Sequence, residues 1–443
     1  SSPQPYLFLV EVGTHMQVSV EAIGTLERRM EVQVPAERIE KAVDERLQRL
    51  SRTVRLKGFR PGKVPVKVVR QQFGDQVRQE VLGDVVQKTF AEALTQQNLT
   101  PAGGPKIEPL DVQQGGDLKY RAIFEIVPEI ELKGVEGMEI KRPVAEVTSA
   151  DIDAMVENLR EQRATFVAVD REARDTDRVT VDFDGTIDGL AFDGGKGEDV
   201  PIVLGQRRML EDFEQALVGT RAGEQKVVDI TFPSDYPPST AGKSARFEVK
   251  IKSVEERRLP ELDEEFAKSF GIEEGGMERL REEVKENMER ELAEAVRARL
   301  KKQVMDGLIA ANQIELPKTM IEAQVRELQL DAARRIGARD ASQVPPAEGF
   351  QDAARRRVAL TLLVTELVRH AGLKVDQAKV TARFEDLAAQ FPDPQQALQA
   401  YRTNPQLQRQ MEAAVLEDQV VEWVVERAKI SDESTTFKEL MNF

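Results

Sequence analysis

Residues 54–70 read Val-Arg-Leu-Lys-Gly-Phe-Arg-Pro-Gly-Lys-Val-Pro-Val-Lys-Val-Val-Arg, and their centre, 58–65, is too rich in glycine and proline for a regular helix. Apolar residues recur at helical spacing on both sides of this break. They are Ile39, Val43, Leu47 and Leu50 before it and Val69, Phe73, Val77, Val81, Val85 and Phe90 after it. We therefore predict helices over 37–50 and 66–97, joined by a loop.

The patterns outside these helices predict an α+β multidomain chain. Apolar and polar residues alternate over 18–34 and 118–127, which indicates strands and an α+β first domain. Thr148 and Asp151 fit a capping box that opens a connector helix. From 178 to about 255, short alternating segments between Gly, Pro and Asp clusters predict a compact β-rich domain. Beyond Pro260 the pattern is almost entirely helical.

One apolar stripe in the C-terminal region has an unusual period. Its members recur every four residues: Leu280, Val284, Met288, Leu292, Val296, Leu300, Val304 and Leu308. Each step of four overshoots a helical turn by about 40°, so the stripe winds around its helix. Either several neighbours bury successive portions, which we favour, or part of the stripe stays exposed. Residues 358–368 are apolar on nearly all sides and predict a central buried helix.

Composition excludes several kinds of chemistry. The 443 residues contain no cysteine and two histidines, so disulfides and cysteine-ligated metals are excluded. His15-Met16 is typical of a cloning site, and we interpret Ser1–His15 as a remnant of it. That interpretation leaves His370, which we expect at a helix end, as the sole natural histidine; a catalytic triad, a metal site and a cofactor are not expected. The charged fraction of 32% is typical of a cytosolic protein rather than a membrane protein.

A basic segment stands out in a chain whose net charge is -15. Its cations have no acidic residue among them: Arg52, Arg55, Lys57, Arg60, Lys63, Lys67 and Arg70. The segment could dock on an acidic protein surface or an RNA backbone, with Phe59 as an apolar anchor, or it could be a solvated basic face. RNA readout is disfavoured because a single aromatic residue accompanies the charges.

Two glycine motifs do not predict nucleotide binding. Gly242-Lys243-Ser244 resembles part of a phosphate-binding loop, but strand rather than helix is predicted after it. Gly194-Gly195-Lys196-Gly197 lacks the spacing of a dinucleotide site, and we predict a turn there.

Residues 58–65, Gly-Phe-Arg-Pro-Gly-Lys-Val-Pro, resemble the ribosome-docking signature of bacterial trigger factor. The resemblance continues from Met16 to the C-terminus through the segments 81–84, 101–103, 287–292 and 435–442. It implies an elongated chaperone that docks on the large ribosomal subunit near the polypeptide exit tunnel, shields nascent and unfolded polypeptides, and forms a homodimer when free. The implied ribosome-binding residues are Gly58, Phe59, Arg60, Pro61, Gly62 and Lys63. Many members carry a basic residue where this chain has Pro61.

The β-rich domain resembles FKBP-type prolyl isomerases in Val181–Gly185, Phe192-Asp193, Leu204–Gln206, Met209–Glu214, Phe232–Tyr236 and Phe247–Val249. The resemblance implies a proline pocket, whereas the residues alone also fit an ordinary small-domain core. The implied pocket is lined by Phe183, Phe192, Met209, Leu210, Phe213 and Phe247, with Asp193 at its polar edge. Phe213 stands where FKBPs have a tryptophan floor. Such a pocket needs no nucleophile, because favouring the twisted amide lowers the isomerisation barrier.

The boundaries that follow are a ribosome-binding domain at 16–127, a linker with a helix at 128–164, an FKBP-type domain at 165–257 and a helical chaperone domain at 258–443. The predicted function is an ATP-independent, cytoplasmic, ribosome-associated chaperone with prolyl isomerase activity and no specific nucleic-acid readout. The alternative is a stand-alone prolyl isomerase whose other domains dimerise or position it.

Overall fold

The computed structural model describes residues 16–60 and 62–442. Its residues group into two units. One contains the described residues up to Arg142 together with Arg299–Ser431, and the other contains Pro143–Ala298 and the residues from Asp432 onward. Each unit thus combines segments that are distant in sequence, and the predicted domain boundaries remain a prediction. The interpretation of Ser1–His15 lies outside the described residues.

The N-terminal segment is the predicted α+β arrangement. Its elements are β1 (Gln17–Ala22), β2 (Glu27–Val34), α1 (Ala36–Thr53), α2 (Val66–Gln96), β3 (Lys106–Asp111) and β4 (Leu118–Glu125). The strands form an antiparallel sheet in the order β1-β2-β4-β3. Met30 and Val32 on the sheet share one core with Ile39 and Leu47 on α1 and with Val81 on α2. The two predicted helices are confirmed.

The middle of the chain is β-rich, as predicted. It contains β5 (Glu139–Val144), α3 (Ser149–Gln162), β6 (Thr165–Ala168), β7 (Arg178–Ile187), β8 (Leu190–Val203), α4 (Glu211–Leu217), β9 (Gln225–Thr231), β10 (Ser244–Arg258) and α5 (Glu264–Lys268). One sheet has the order β6-β10-β7-β8, and β9 also pairs with β10. The capping box is confirmed: Thr148 Oγ1 accepts from the Asp151 N–H at 3.2 Å, and Thr148 N–H donates to Asp151 Oδ2 at 2.9 Å.

The turn predicted at Gly194–Gly197 is wrong, because these residues lie within β8. The absence of a side chain at Gly195 and at Gly197 allows close packing here. A Cβ on Gly195 would lie 2.9 Å from the Phe192 ring, and one on Gly197 would lie 2.8 Å from the Phe183 ring. Glycine within a strand marks such a close approach, and shifts in the β7–β8 register accompany it.

The C-terminal region is mainly helical. Its elements are α6 (Gly276–Ala311), α7 (Lys318–Arg335), α8 (Gln351–Ala371), α9 (Gln377–Ala388), α10 (Pro394–Thr403), α11 (Pro405–Arg427), β11 (Lys429–Ser434) and α12 (Phe437–Met441). Strand β11 pairs with β5 and was not predicted. The buried α8 is confirmed, since Leu362 packs in one core and Leu363 in another. His370 lies in the last turn of α8, as predicted.

The winding stripe of α6 is buried by different neighbours along its length. Leu280, Val284, Met288 and Leu292 pack in a core with Val156 and Phe437, whereas Val304 and Leu308 pack in a core with Leu363 and Val420. The favoured interpretation is therefore confirmed. No helix in the described part of the chain combines the length and apolarity that a bilayer crossing requires.

Candidate functional site

Five phenylalanine side chains from separate elements converge on one side of the β-rich sheet. Phe183 lies on β7, Phe192 on β8, Phe213 on α4 and Phe247 on β10, and Phe232 directly follows β9. The ring centroids of Phe213 and Phe247 are 5.5 Å apart, and each lies 5.8 Å from that of Phe183. All three pairs meet edge to face, the arrangement that aromatic quadrupoles favour.

Strand register explains why Phe183 and Phe247 meet. On the antiparallel pair β7–β10, Phe183 lies opposite Val249 and Phe247 lies opposite Gly185, so the two rings share a face as diagonal neighbours. Gly185 provides the space, since a Cβ there would lie 2.3 Å from the Phe247 ring. Phe183 and Phe247 are therefore brought together by pairing across strands rather than by sequence proximity.

The remaining predicted pocket residues are less buried than Phe183, Phe213 and Phe247. Met209 and Leu210 are half-buried, precede α4 and pack against the same core. Phe192 is half-buried, with its centroid 6.0 Å from that of Phe247. Asp193 is exposed beside Phe192. The structure thus assembles the apolar members closely and leaves Asp193 in solvent next to them.

Two aromatic residues outside the predicted set extend the cluster. The Phe232 and Phe192 centroids are 5.8 Å apart, and those of Tyr236 and Phe232 are 5.4 Å apart. Tyr236 is 39% exposed, so its ring lies at the edge of the cluster and its hydroxyl is within reach of solvent. The sequence signal for both was the segment Phe232–Tyr236, whose residues were matched to FKBPs but not assigned to the pocket.

This arrangement can bind an apolar ring and exclude water from it. Among the described residues, no group of three or more His, Asp or Glu side chains could hold a metal ion. The cluster instead consists of buried aromatic rings with the half-buried Phe192 and the exposed Tyr236 at its edge. Such a surface suits a proline side chain, and isomerisation of the X-Pro peptide bond requires no proton transfer or covalent intermediate.

The basic loop forms a second candidate site between α1 and α2. Turns begin and end it: Phe59 N–H donates to the Leu56 carbonyl at 3.1 Å, and Lys63 N–H donates to the Arg60 carbonyl at 3.0 Å. Gly58 and Gly62 have φ values of +94° and +78°, which favour glycine. Val64 anchors the loop in the core at 4% exposure, while Phe59 is 39% exposed.

Most cations of this loop and of the adjoining helix ends are exposed and form no ion pair with a described residue. Arg70 forms an ion pair with Asp44. The others, which are all exposed and form no ion pair with any described residue, are Arg52, Arg55, Lys57, Arg60, Lys63 and Lys67. Gly58, Phe59, Arg60, Gly62 and Lys63 of the predicted docking set are exposed together, whereas Pro61 lies outside the described residues.

Comparison with known proteins gives the family of each part of the chain. Residues 169–252 match the family model of the FKBP-type peptidyl-prolyl cis-trans isomerases, which defines the class of the β-rich domain. Residues 16–159 match "Bacterial trigger factor protein (TF)", and residues 276–426 match "Bacterial trigger factor protein (TF) C-terminus". The chain belongs to the trigger factor family.

Individual relatives cover nearly the whole chain. The trigger factor of Thioalkalivibrio sulfidiphilus is 50% identical over 96% of this chain and 98% of its own. That of Halorhodospira halophila is 49% identical over 96% of this chain and 98% of its own. A solved structure from work on promiscuous substrate recognition by the trigger factor chaperone has 20% identity, covers 92% of this chain and 99% of its own, and gives a TM-score of 0.46. The protein is a ribosome-associated chaperone with an FKBP-type prolyl isomerase domain.

Proposed function

We propose that the loop at 58–65 docks this chaperone on the large ribosomal subunit near the polypeptide exit tunnel. The single observation that carries the proposal is the exposure of Phe59 and Arg60 together at the tip of a loop that Val64 anchors in the core. An exposed phenylalanine is unfavourable for solubility, and an arginine fork suits carboxylate or phosphate. Around the tip, exposed cations without ion pairs supply a local positive field in an acidic protein.

The proposal assigns isomerase activity to the aromatic pocket. Phe183, Phe213 and Phe247 would hold the proline ring, and Phe192, Met209 and Leu210 would form its walls. Planar X-Pro amides isomerise over a barrier of roughly 18–20 kcal/mol because resonance must be broken. A water-excluding apolar site lowers that barrier by binding the twisted amide more strongly than the planar one. Asp193 and Tyr236 at the edge would contact the flanking peptide.

The proposed clients are nascent and unfolded polypeptides in the cytoplasm. Large apolar side chains exposed on the helical region support this assignment, among them Leu330, Ile336 and Phe391 at 55%, 63% and 50% exposure. Weak apolar contacts suit a chaperone that must bind many sequences. We also propose that the free protein forms a homodimer, to be tested by sedimentation equilibrium over a range of concentrations.

The alternative of a stand-alone isomerase is not favoured. The trigger factor models match the regions on both sides of the isomerase domain, and catalysis at the aromatic pocket has no use for the exposed Phe59–Arg60 tip. Docking itself could involve ribosomal protein or RNA. A salt titration distinguishes the two. If the loop binds RNA phosphates, log affinity falls linearly with log salt concentration, with a slope of about -0.7 to -0.9 per phosphate contact.

The decisive test is ribosome binding by the Phe59→Ala, Arg60→Ala double variant. We expect at least about a tenfold loss of affinity in co-sedimentation with empty ribosomes, because buried aromatic and arginine anchors dominate interface energies. The matched control is Leu110→Ala with Lys119→Ala, which also removes one exposed apolar and one exposed basic side chain. Undiminished binding by the Phe59, Arg60 variant would rule out the docking assignment.

A further inference from the structure

Glu214 is a buried carboxylate directly after the floor residue Phe213 on α4. It is 5% exposed, and no described lysine or arginine forms a salt bridge with it. Its carboxylate is nevertheless satisfied, because Oε2 accepts from the Gly205 N–H at 3.1 Å and Oε1 accepts from the Met209 N–H at 3.2 Å. A buried carboxylate is unfavourable without such bonds, and bonds to an ionised acceptor are stronger than neutral ones.

These two bonds hold both ends of the loop 205–209 against α4. The loop backbone needs such support. Gly205 has φ +90° and Arg207, which is not glycine, has φ +56° in the left-handed region. A Cβ on Gly205 would lie 2.5 Å from Asp175 Oδ1, so the loop also passes close to a neighbouring segment. Left-handed conformations of this kind persist when surrounding contacts fix them.

We propose that Glu214 is a positioning residue for the prolyl pocket, an inference that rests on the pocket assignment above. It follows Phe213 in the same helix and bonds the backbone of Met209, so it fixes the distance between the floor and one wall. Proline binding requires both surfaces in a fixed arrangement before the substrate arrives. Without the carboxylate, the wall moves away from the floor and the bound proline loses contacts.

The test compares Glu214→Gln with Asp212→Asn in the full chain, using a proline tetrapeptide substrate. Glutamine has the same shape but only one acceptor oxygen. That oxygen can keep one of the two hydrogen bonds, whereas the NH₂ group faces the N–H donor of the other. We expect KM to rise about tenfold with kcat nearly unchanged, because a displaced wall weakens binding. Asp212 is exposed on the same helix, so Asp212→Asn removes the same charge and should leave both constants unchanged. Amide resonances of Gly205 and Met209 should move in Glu214→Gln alone.

Shifted resonances with unchanged KM, or a fall in kcat with unchanged KM, would overturn the positioning role. Glu214→Ala removes both hydrogen bonds. Where this alanine variant fails to fold, KM can still be measured in Glu214→Gln. Phe213→Ala is measured alongside. If it leaves the rate unchanged, the pocket assignment is wrong; if it slows the reaction while Glu214→Gln leaves KM unchanged, this inference alone is wrong.

Discussion

At the scale of single residues, the proposed pocket depends on the position of Phe213 among its aromatic neighbours. It is 2% exposed, and its ring lies edge to face with those of Phe183 and Phe247. The short helix α4 carries it and begins immediately after Leu210. The same residue therefore belongs to the domain core and, in the proposed pocket, forms the floor on which a proline would rest.

We expect Phe213→Ala to slow cis-to-trans conversion of a proline peptide at least about tenfold, because the substrate loses apolar contact in the transition state. The measurement is a coupled or NMR-exchange isomerisation assay. Phe213→Leu keeps most of the apolar volume and should retain more activity. Phe270→Ala removes a half-buried phenylalanine from a different core and serves as control. An unaffected rate in Phe213→Ala would remove Phe213 from the site.

A second residue-scale prediction concerns Asp177, which is buried and accepts two bonds from Arg171 at 2.5 and 3.1 Å and one from the Arg174 N–H at 2.9 Å. Burial raises the pKa of Asp177, but these bonds outweigh it and lower the pKa below its ordinary value. The folded state therefore favours the ionised form. Its stabilisation is present above the unfolded pKa, near about 3.9, and is lost as pH falls through the lower folded pKa.

Accordingly, Asp177→Asn should lower the free energy of unfolding by about 2–4 kcal/mol at neutral pH and reduce its decline on acidification. Urea unfolding at pH 7 and at about pH 3 measures both. Asp229→Asn is the control, because its partner Arg246 and Asp229 itself are both 67% exposed, and such pairs contribute about 0–1 kcal/mol. Equal losses in the two variants would contradict a special role for Asp177.

At the scale of elements, β8 and α6 show how a sequence pattern acquires its meaning from its neighbours. In β8 the glycines that predict a turn instead allow the strand to pass close to the Phe183 and Phe192 rings. In α6 a four-residue apolar period winds around the helix, and separate cores bury its two portions. Each of the two is a single continuous element, but different parts of it pack against different neighbours.

We expect Gly197→Ala to destabilise the isomerase domain by about 1–3 kcal/mol and to lower isomerase activity, because the new methyl group would lie 2.8 Å from the Phe183 ring. Thermal unfolding and the proline-peptide assay report the two effects. Gly83→Ala is the contrasting control. It lies within α2 with open space around it, so alanine there should be neutral or stabilising. A neutral Gly197→Ala would show that the strand can shift away from the ring.

At the scale of the whole molecule, each unit is built from segments distant in sequence. Lys318 and Thr319 of α7 donate backbone N–H bonds to Glu125 of β4 at 2.8 and 2.7 Å, and Phe437 of α12 is buried with Ile152 of α3. A chain ending near 257 would lose these contacts in both units. Point substitutions therefore separate the functions more cleanly than truncation does.

We predict that Leu330→Ser with Ile336→Ser weakens suppression of client aggregation severalfold, because both side chains are more than half exposed and available to apolar segments. Light scattering with an unfolding client measures the effect. Ribosome binding and isomerase activity should be unchanged. The control, Val218→Ser with Val227→Ser, removes comparably exposed side chains at 46% and 53% from the isomerase domain. Equal losses in the two variants would contradict a specific role for the end of α7 and the residue that follows it.

The sequence by itself determined the helices around 58–65, the strand and helix regions and the capping box at Thr148, and it predicted the residues of both candidate sites. Each of these follows from local periodicity, from residues that restrict the backbone, or from a motif that can be matched position by position. Tertiary structure decided the strand role of Gly194–Gly197, the β5–β11 pair, the inclusion of Phe232 and Tyr236, and the bonds of Glu214. These features depend on which distant residues approach a given atom, and close packing across strands and helices leaves no periodic trace along the chain.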